Sequence, residues 1–259
     1  MSAHAWTDSA TMLRRNLRHA LRYPSLSLAG VMMPILIMLL FVGVFGNALG
    51  AGVGGPADGD YVNYVAPGII LMAIASGCMT TSVSVSLDMT EGIVDRFRTM
   101  AIARVSLLTG HVVGSMIQTL VSTAAVIGVA VALGFRTGGG LLHWLAAMGL
   151  LVLLTFALTW VAVALGLLAK NPEGASNSPL IIQFMPFLGS AIVPPESMPA
   201  GVRWFAEYQP FTPVIEAVRG LLAGSPDGRD VVDSLAWCAV LAIGGYTYSK
   251  FLFNRKAPR

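Results

Sequence analysis

The chain alternates long apolar runs, nearly free of charge, with polar or glycine- and proline-rich breaks, and this alternation predicts its elements. Six runs reach the length a helix needs to cross a hydrocarbon core of ~30 Å. They lie at about 26–46, 62–87, 110–135, 141–169, 175–195 and 233–253. Pro34 stands inside the first run and predicts a kink there. Ahead of them, in residues 1–24, Met12, Leu13, Leu17, Ala20 and Leu21 recur at helical spacing, while Arg14, Arg15, Arg18, His19 and Arg22 take the other positions. With Thr7, Asp8 and Ser9 as candidate N-caps and Pro24 as a stop, the pattern predicts an amphipathic helix lying along a membrane surface. The alternative is a basic flank that only sets topology.

One break is unlike the others. Asp88–Arg104, DMTEGIVDRFRTMAIAR, holds three of the sixteen basic and three of the thirteen acidic residues. A charged side chain at the bilayer centre costs at least ~2.5–3.5 kcal/mol, so this insert must emerge at a surface. From Glu91 onward, Ile93, Phe97, Met100 and Ala101 share a helical face, and Glu91, Asp95 and Arg98 are (i, i+4) and (i, i+3) neighbours. Two readings stand side by side: a short helix at about 89–104 docking into a soluble partner, or a solvated loop that fixes topology.

Composition agrees with the pattern. Of 259 residues 55% are hydrophobic and 11% charged, with mean hydropathy +0.72. A soluble domain carries roughly 25% charged residues, so the expected fold class is an all-α polytopic membrane protein. Cys78 and Cys238 both fall in apolar runs, which suggests neither a disulfide frame nor a thiolate metal site. With the N-terminus inside, twelve Lys and Arg lie on the inner side and four (Arg136, Arg203, Arg219 and Arg229) on the outer. That bias predicts six spans with both termini cytoplasmic and the charged insert facing the cytoplasm.

Enzyme chemistry is not visible. The three lysines follow Ala169, Ser249 and Arg255, so no Gly-Lys-Ser/Thr phosphate loop exists. His-Glu-x-x-His and Gly-x-Ser-x-Gly are also absent. The uncharged spans hold no carboxylate of the kind proton-driven carriers place at membrane depth, and His111 and His143 sit at span ends. A transporter of this composition draws its energy from a partner. In the second span Ser76, Thr80 and Ser84 share a face and form a possible substrate path, or they bond backward to helix carbonyls.

The run EGIVDRFRTMAIAR, leading into a span that opens near Gly110, resembles the membrane domains of type-2 ABC exporters, most closely the branch typified by daunorubicin-resistance permeases. Ala101 stands where many members have proline. A second match comes late: Phe187 to Pro199, then Trp204 to Pro213, and Val218-Arg-Gly-Leu-Leu, resemble the C-terminal signature of that family. The resemblance implies that Glu91, Gly92, Asp95, Arg96, Phe97 and Arg98 form a coupling helix against an ABC ATP-binding subunit, which would hold the ATP and Mg while this chain holds no cofactor. It implies outer re-entrant helices at about 196–225, around Pro194, Pro195, Glu196, Pro199, Pro210 and Arg219. It further implies a second permease, self or related, completing the channel in the bacterial inner membrane. The expected function is export of amphipathic drugs or lipid-like molecules; export of cell-envelope glycans and a non-transporting assembly scaffold are the alternatives. Nothing predicts a nucleic-acid partner.

Overall fold

The computed structural model describes residues 24–46, 60–90 and 104–255. Residues 1–23 of the predicted amphipathic helix and residues 91–103 of the charged insert lie outside the described residues. Among the described residues every regular element is helical.

Helix α1 (Pro24–Leu39) runs through Pro34 and continues as a wider π-helical turn, Leu40–Val44, where the Phe45 N–H reaches the Leu40 carbonyl at 3.2 Å. Helices α2 (Asp60–Thr90), α3 (Arg104–Ala132) and α4 (Leu141–Leu168) follow. The last long helix, called α9 below, is Gly228–Arg255. These four are long and apolar enough to cross a membrane, and Gly30–Val44 is a shorter apolar helix. They occupy the second, third, fourth and sixth apolar runs. Helix α2 extends past its run: Asp88, the first residue of the charged insert, is buried in its final turn, and Thr90 closes that turn by donating to the Ser86 and Leu87 carbonyls at 3.0 Å each.

The centre of the bundle is α2, with Val65, Ala66 and every residue from Ile69 to Ala75 buried. It packs on α1, α3 and α4, while α9 lies along α4. Small residues set the spacing. A Cβ added at Gly166 would lie 2.5 Å from the Ser82 carbonyl oxygen, and one at Gly245 would lie 2.7 Å from the Val161 nitrogen. Between helices in lipid, where burial gives little hydrophobic gain, such close backbone contact supplies the packing energy.

The fifth apolar run differs from a single span. It breaks into α5 (Pro172–Asn177), α6 (Leu180–Phe184) and a 3-10 turn, Met185–Leu188. Pro172, Pro179 and Pro186 recur every seven residues, and each stands at or before the start of a new segment, where its missing N–H costs nothing. Counting charge alone makes this run look continuous; the prolines divide it. A further 3-10 turn, Pro195–Ser197, leads to α7 (Ala200–Tyr208) and α8 (Phe211–Ala223). Pro199 precedes α7 and Pro210 precedes α8.

Helix α7 is amphipathic, with Ala206 buried and the Trp204 and Tyr208 rings exposed, 5.7 Å apart. Glu196 is exposed just ahead of it. Helix α8 is buried almost all round, from Phe211 to Leu222, and ends at Gly224, whose φ of 85° is the left-handed conformation glycine tolerates. The α3–α4 turn is fastened to it: the Gly139 N–H donates to the Leu222 carbonyl at 3.0 Å. The same turn is held to α2, where Asn63 Oδ1 accepts from the Arg136 N–H at 2.8 Å.

Candidate functional site

Halfway along α2 and α3 the apolar faces give way to a narrow polar cleft with room for about one water molecule. Ser76, Gly77 and Thr80 of α2 face Gln118, Thr119 and Ser122 of α3, and Gly30 of α1 forms a third wall. Both helices present residues at i, i+1 and i+4, the spacing that keeps three side chains on one helical face. The helices approach closely because Thr119 Oγ1 occupies the place a Cβ would take at Gly77.

The hydroxyl protons are directed away from the cleft. Ser76 Oγ donates to the Met72 carbonyl at 2.9 Å, Thr80 Oγ1 to the Gly77 carbonyl at 3.0 Å, and Ser122 Oγ to the Gln118 carbonyl at 3.0 Å. The sequence posed lining and back-bonding as alternatives; the geometry does both at once. Gln183, from the broken stretch, donates its amide to Ser76 Oγ at 3.4 Å. Among the described residues no Asp, Glu, Lys or Arg lines the cleft.

Ser76 and Thr80 of the expected path thus come together. Ser84 lies a turn further along, half-buried and outside the lining. Gln118, Thr119 and Ser122 fall outside the sequence reading, which takes up the polar face of the second run alone. The signal was available: the same i, i+1, i+4 polar set stands in the middle of the third apolar run.

A second constellation lies at the end of the bundle where α2 begins. Arg219 of α8 donates Nε and Nη2 to the Tyr64 carbonyl at 3.2 and 3.1 Å, and Nη2 also to the Ser190 carbonyl at 2.7 Å. Its Nη1 pairs with Glu216 one turn earlier, and the guanidinium lies 3.9 Å from the centre of the Tyr64 ring. Three segments distant in sequence are therefore joined by one side chain. Beside this junction Gly68 brings α2 against the backbone of Ala191, where a Cβ would sit 2.5 Å from the Ala191 Cα. Among the described residues no group of His, Cys, Asp and Glu is placed to hold a metal.

The ABC-2 type transporter family profile matches residues 8–223, most of the chain. The chain belongs to that family. It is 29% identical over 232 residues to the daunorubicin resistance ABC transporter permease protein DrrB1 of Streptomyces coeruleorubidus, covering 88% of this chain and 80% of that protein. It is 26% identical over 216 residues to the probable doxorubicin resistance ABC transporter permease protein DrrC of Mycobacterium tuberculosis, covering 83% and 77%. The chain is thus a multi-pass ABC-2 membrane permease, and membership implies an ABC ATP-binding partner. The predicted contact residues for that partner, Glu91, Gly92, Asp95, Arg96, Phe97 and Arg98, lie outside the described residues.

Proposed function

We propose that this ABC-2 permease is the membrane subunit of an exporter that moves amphipathic drugs or lipid-like molecules out of the cell across the bacterial inner membrane. The observation that carries the reading is a polar cleft, without charged side chains among the described residues, halfway along long apolar helices, in a chain whose relatives are named for daunorubicin and doxorubicin resistance. The separate ATP-binding subunit holds ATP and Mg²⁺ and supplies the energy. Six spans follow if α1 with its π-helical turn is the first and the broken stretch from Pro172 onward is the fifth. The Lys and Arg bias then puts both termini in the cytoplasm and the α7–α8 segment, with Pro194, Pro195, Pro199, Pro210 and Arg219, at the outer face as a re-entrant element. A second permease, self or related, completes the channel.

Reconstituted in vesicles with its ATP-binding subunit, the chain is expected to move daunorubicin against its gradient and to show ATPase activity stimulated by it. A correctly inserted complex that hydrolyses ATP and transports no amphipathic compound refutes the reading.

The segment Glu91–Arg98 is the proposed coupling helix, with Phe97 as an apolar anchor flanked by Arg96 and Arg98. Replacing Phe97 and Arg98 together with alanine is expected to leave membrane insertion intact while drug-stimulated transport falls to background. Unchanged export by the double variant removes the coupling role.

A further inference from the structure

We infer that the C-terminal end of α9 is a binding surface for an anionic glycerophospholipid, which lays an acyl chain along the helix and its phosphate against Arg255 and Lys250. The inference goes beyond the export reading and holds whatever the permease moves.

Val240, Gly244, Tyr248, Phe251 and Arg255 follow one another at spacings of four or three residues and so form one stripe along α9. The stripe turns away from the bundle: each of its members is exposed, whereas Gly245, Ser249 and Phe253 on the other side are buried. Its apolar part, from Val240 to Phe251, rises about 16 Å, close to one leaflet of a ~30 Å core. Gly244 leaves a notch within it, where an added Cβ would meet nothing within 4 Å. Beside the notch Thr247 donates its hydroxyl to the Ile243 carbonyl at 2.7 Å, so it brings no unmet donor into the hydrocarbon. An extended acyl chain fits there, against Val240 and the Tyr248 and Phe251 rings.

At the end of the stripe the chemistry changes from apolar to cationic. From Ser234 to Arg259 the sequence holds four Lys or Arg and no Asp or Glu. Four cations beside the end of a membrane-spanning helix are enough to draw acidic lipid. Two of them, Lys256 and Arg259, lie outside the described residues; Lys250 and Arg255 are exposed. Neither of these two has an ion-pair partner among the described residues. The Arg255 guanidinium lies 5.4 Å from the centre of the Phe251 ring, one turn back along the stripe. A planar fork held above an apolar stripe can give two N–H donors to one phosphate, and Lys250 on the flank adds a second cation.

The other end of α9 lacks this chemistry. There Asp227, Asp230 and Asp233 surround Arg229, which pairs with Asp233 at 3.8 Å. An anionic headgroup is repelled at that end and attracted at this one. A phospholipid also presents a long apolar chain followed by a phosphate, the order in which the stripe receives them.

The test is native mass spectrometry of the full chain in micelles, titrated with phosphatidylglycerol or with phosphatidylcholine of the same acyl chains. Phosphatidylglycerol is expected to bind the more tightly. Lys250→Gln with Arg255→Gln is expected to weaken it about tenfold or more, from about fivefold per cation, and to leave phosphatidylcholine unaltered. Exchanging the two cations, Lys250→Arg with Arg255→Lys, keeps the charge and is expected to keep binding within about threefold. Arg229→Gln is expected to match wild type, because it stands about 39 Å along the helix, several Debye lengths away. Soluble glycerol phosphate, which has no acyl chain, is expected not to compete. The preference is expected to persist when the permease is assembled with its ATP-binding subunit.

Equal affinity for the two lipids, undiminished phosphatidylglycerol binding by the double glutamine variant, or an equal loss in the charge-keeping exchange or in Arg229→Gln would each overturn the assignment. Competition by glycerol phosphate would reduce the surface to an ion site. Loss of the lipid on assembly would make this face a contact between proteins. Either result rejects the lipid surface.

Discussion

Arg219→Ala is expected to destabilise the fold by about 2–4 kcal/mol, read from unfolding in a titration of denaturing detergent against mild micelles. The guanidinium is mostly buried, with 16% of its side chain exposed, and it joins α2, α8 and the segment at Ser190. Pro67 sets up part of this junction. It lacks the N–H that would serve the Asn63 carbonyl, and the next carbonyl along, Tyr64, is the one that accepts from the arginine. Truncation to alanine leaves Glu216 without its partner and the Ser190 carbonyl without this donor, and Ser190 is fully buried. Lysine keeps the charge but presents no planar fork, so it cannot serve two carbonyls and a carboxylate in fixed directions. Arg219→Lys is therefore expected to recover only part of the loss. Glu216 is 32% exposed and retains an acceptor oxygen as glutamine, so Glu216→Gln is expected to cost less than about 1 kcal/mol. An Arg219→Ala protein as resistant to denaturing detergent as wild type would show that the junction is incidental.

The same arginine shows what the sequence makes legible and what it hides. Its place in Val218-Arg-Gly-Leu-Leu marks it, but its partner Tyr64 is 155 residues away, and no local pattern joins the two. Long helices are legible because the bilayer imposes a length and forbids charge, two properties that can be counted along the chain. That logic found the runs occupied by α2, α3, α4 and α9. It treated 175–195 in the same way because the stretch is uncharged, although Pro179 and Pro186 had already divided it. The cleft was half legible. Ser76 and Thr80 follow from the period of one helix, whereas their pairing with Gln118 and Ser122 depends on how α2 and α3 are rotated against each other. That rotation is tied to Gly77 beneath Thr119, a contact whose meaning emerges only in three dimensions. Ser84 shares the face of Ser76 and Thr80 on paper, yet the cleft stops before reaching it.

Gly245→Val is expected to separate α9 from α4 and to destabilise the protein by about 3 kcal/mol or more, the upper range for overpacking. At Gly245 the two backbones meet: a Cβ would lie 2.7 Å from the Val161 nitrogen, 2.8 Å from the Trp160 carbonyl carbon and 3.0 Å from the Trp160 Cβ. None of these is the mobile tip of a side chain, so the helices themselves must move. Two contacts then go with them. The Tyr246 ring stands edge-on to Trp160 at 5.0 Å, and one turn further Ser249 Oγ donates to the Trp160 carbonyl at 3.2 Å. The adjacent glycine provides an internal comparison. Gly244 is exposed and would meet nothing within 4 Å, so Gly244→Ala is expected to be neutral or to stabilise by up to about 1 kcal/mol through helix propensity. The same detergent titration applied to both variants separates the two effects. If valine at 245 is tolerated as well as alanine at 244, then α9 is held by its apolar surface rather than by backbone approach. A large loss at 245 alone, with 244 unchanged, assigns the α4–α9 seam to the one position where a side chain has no room.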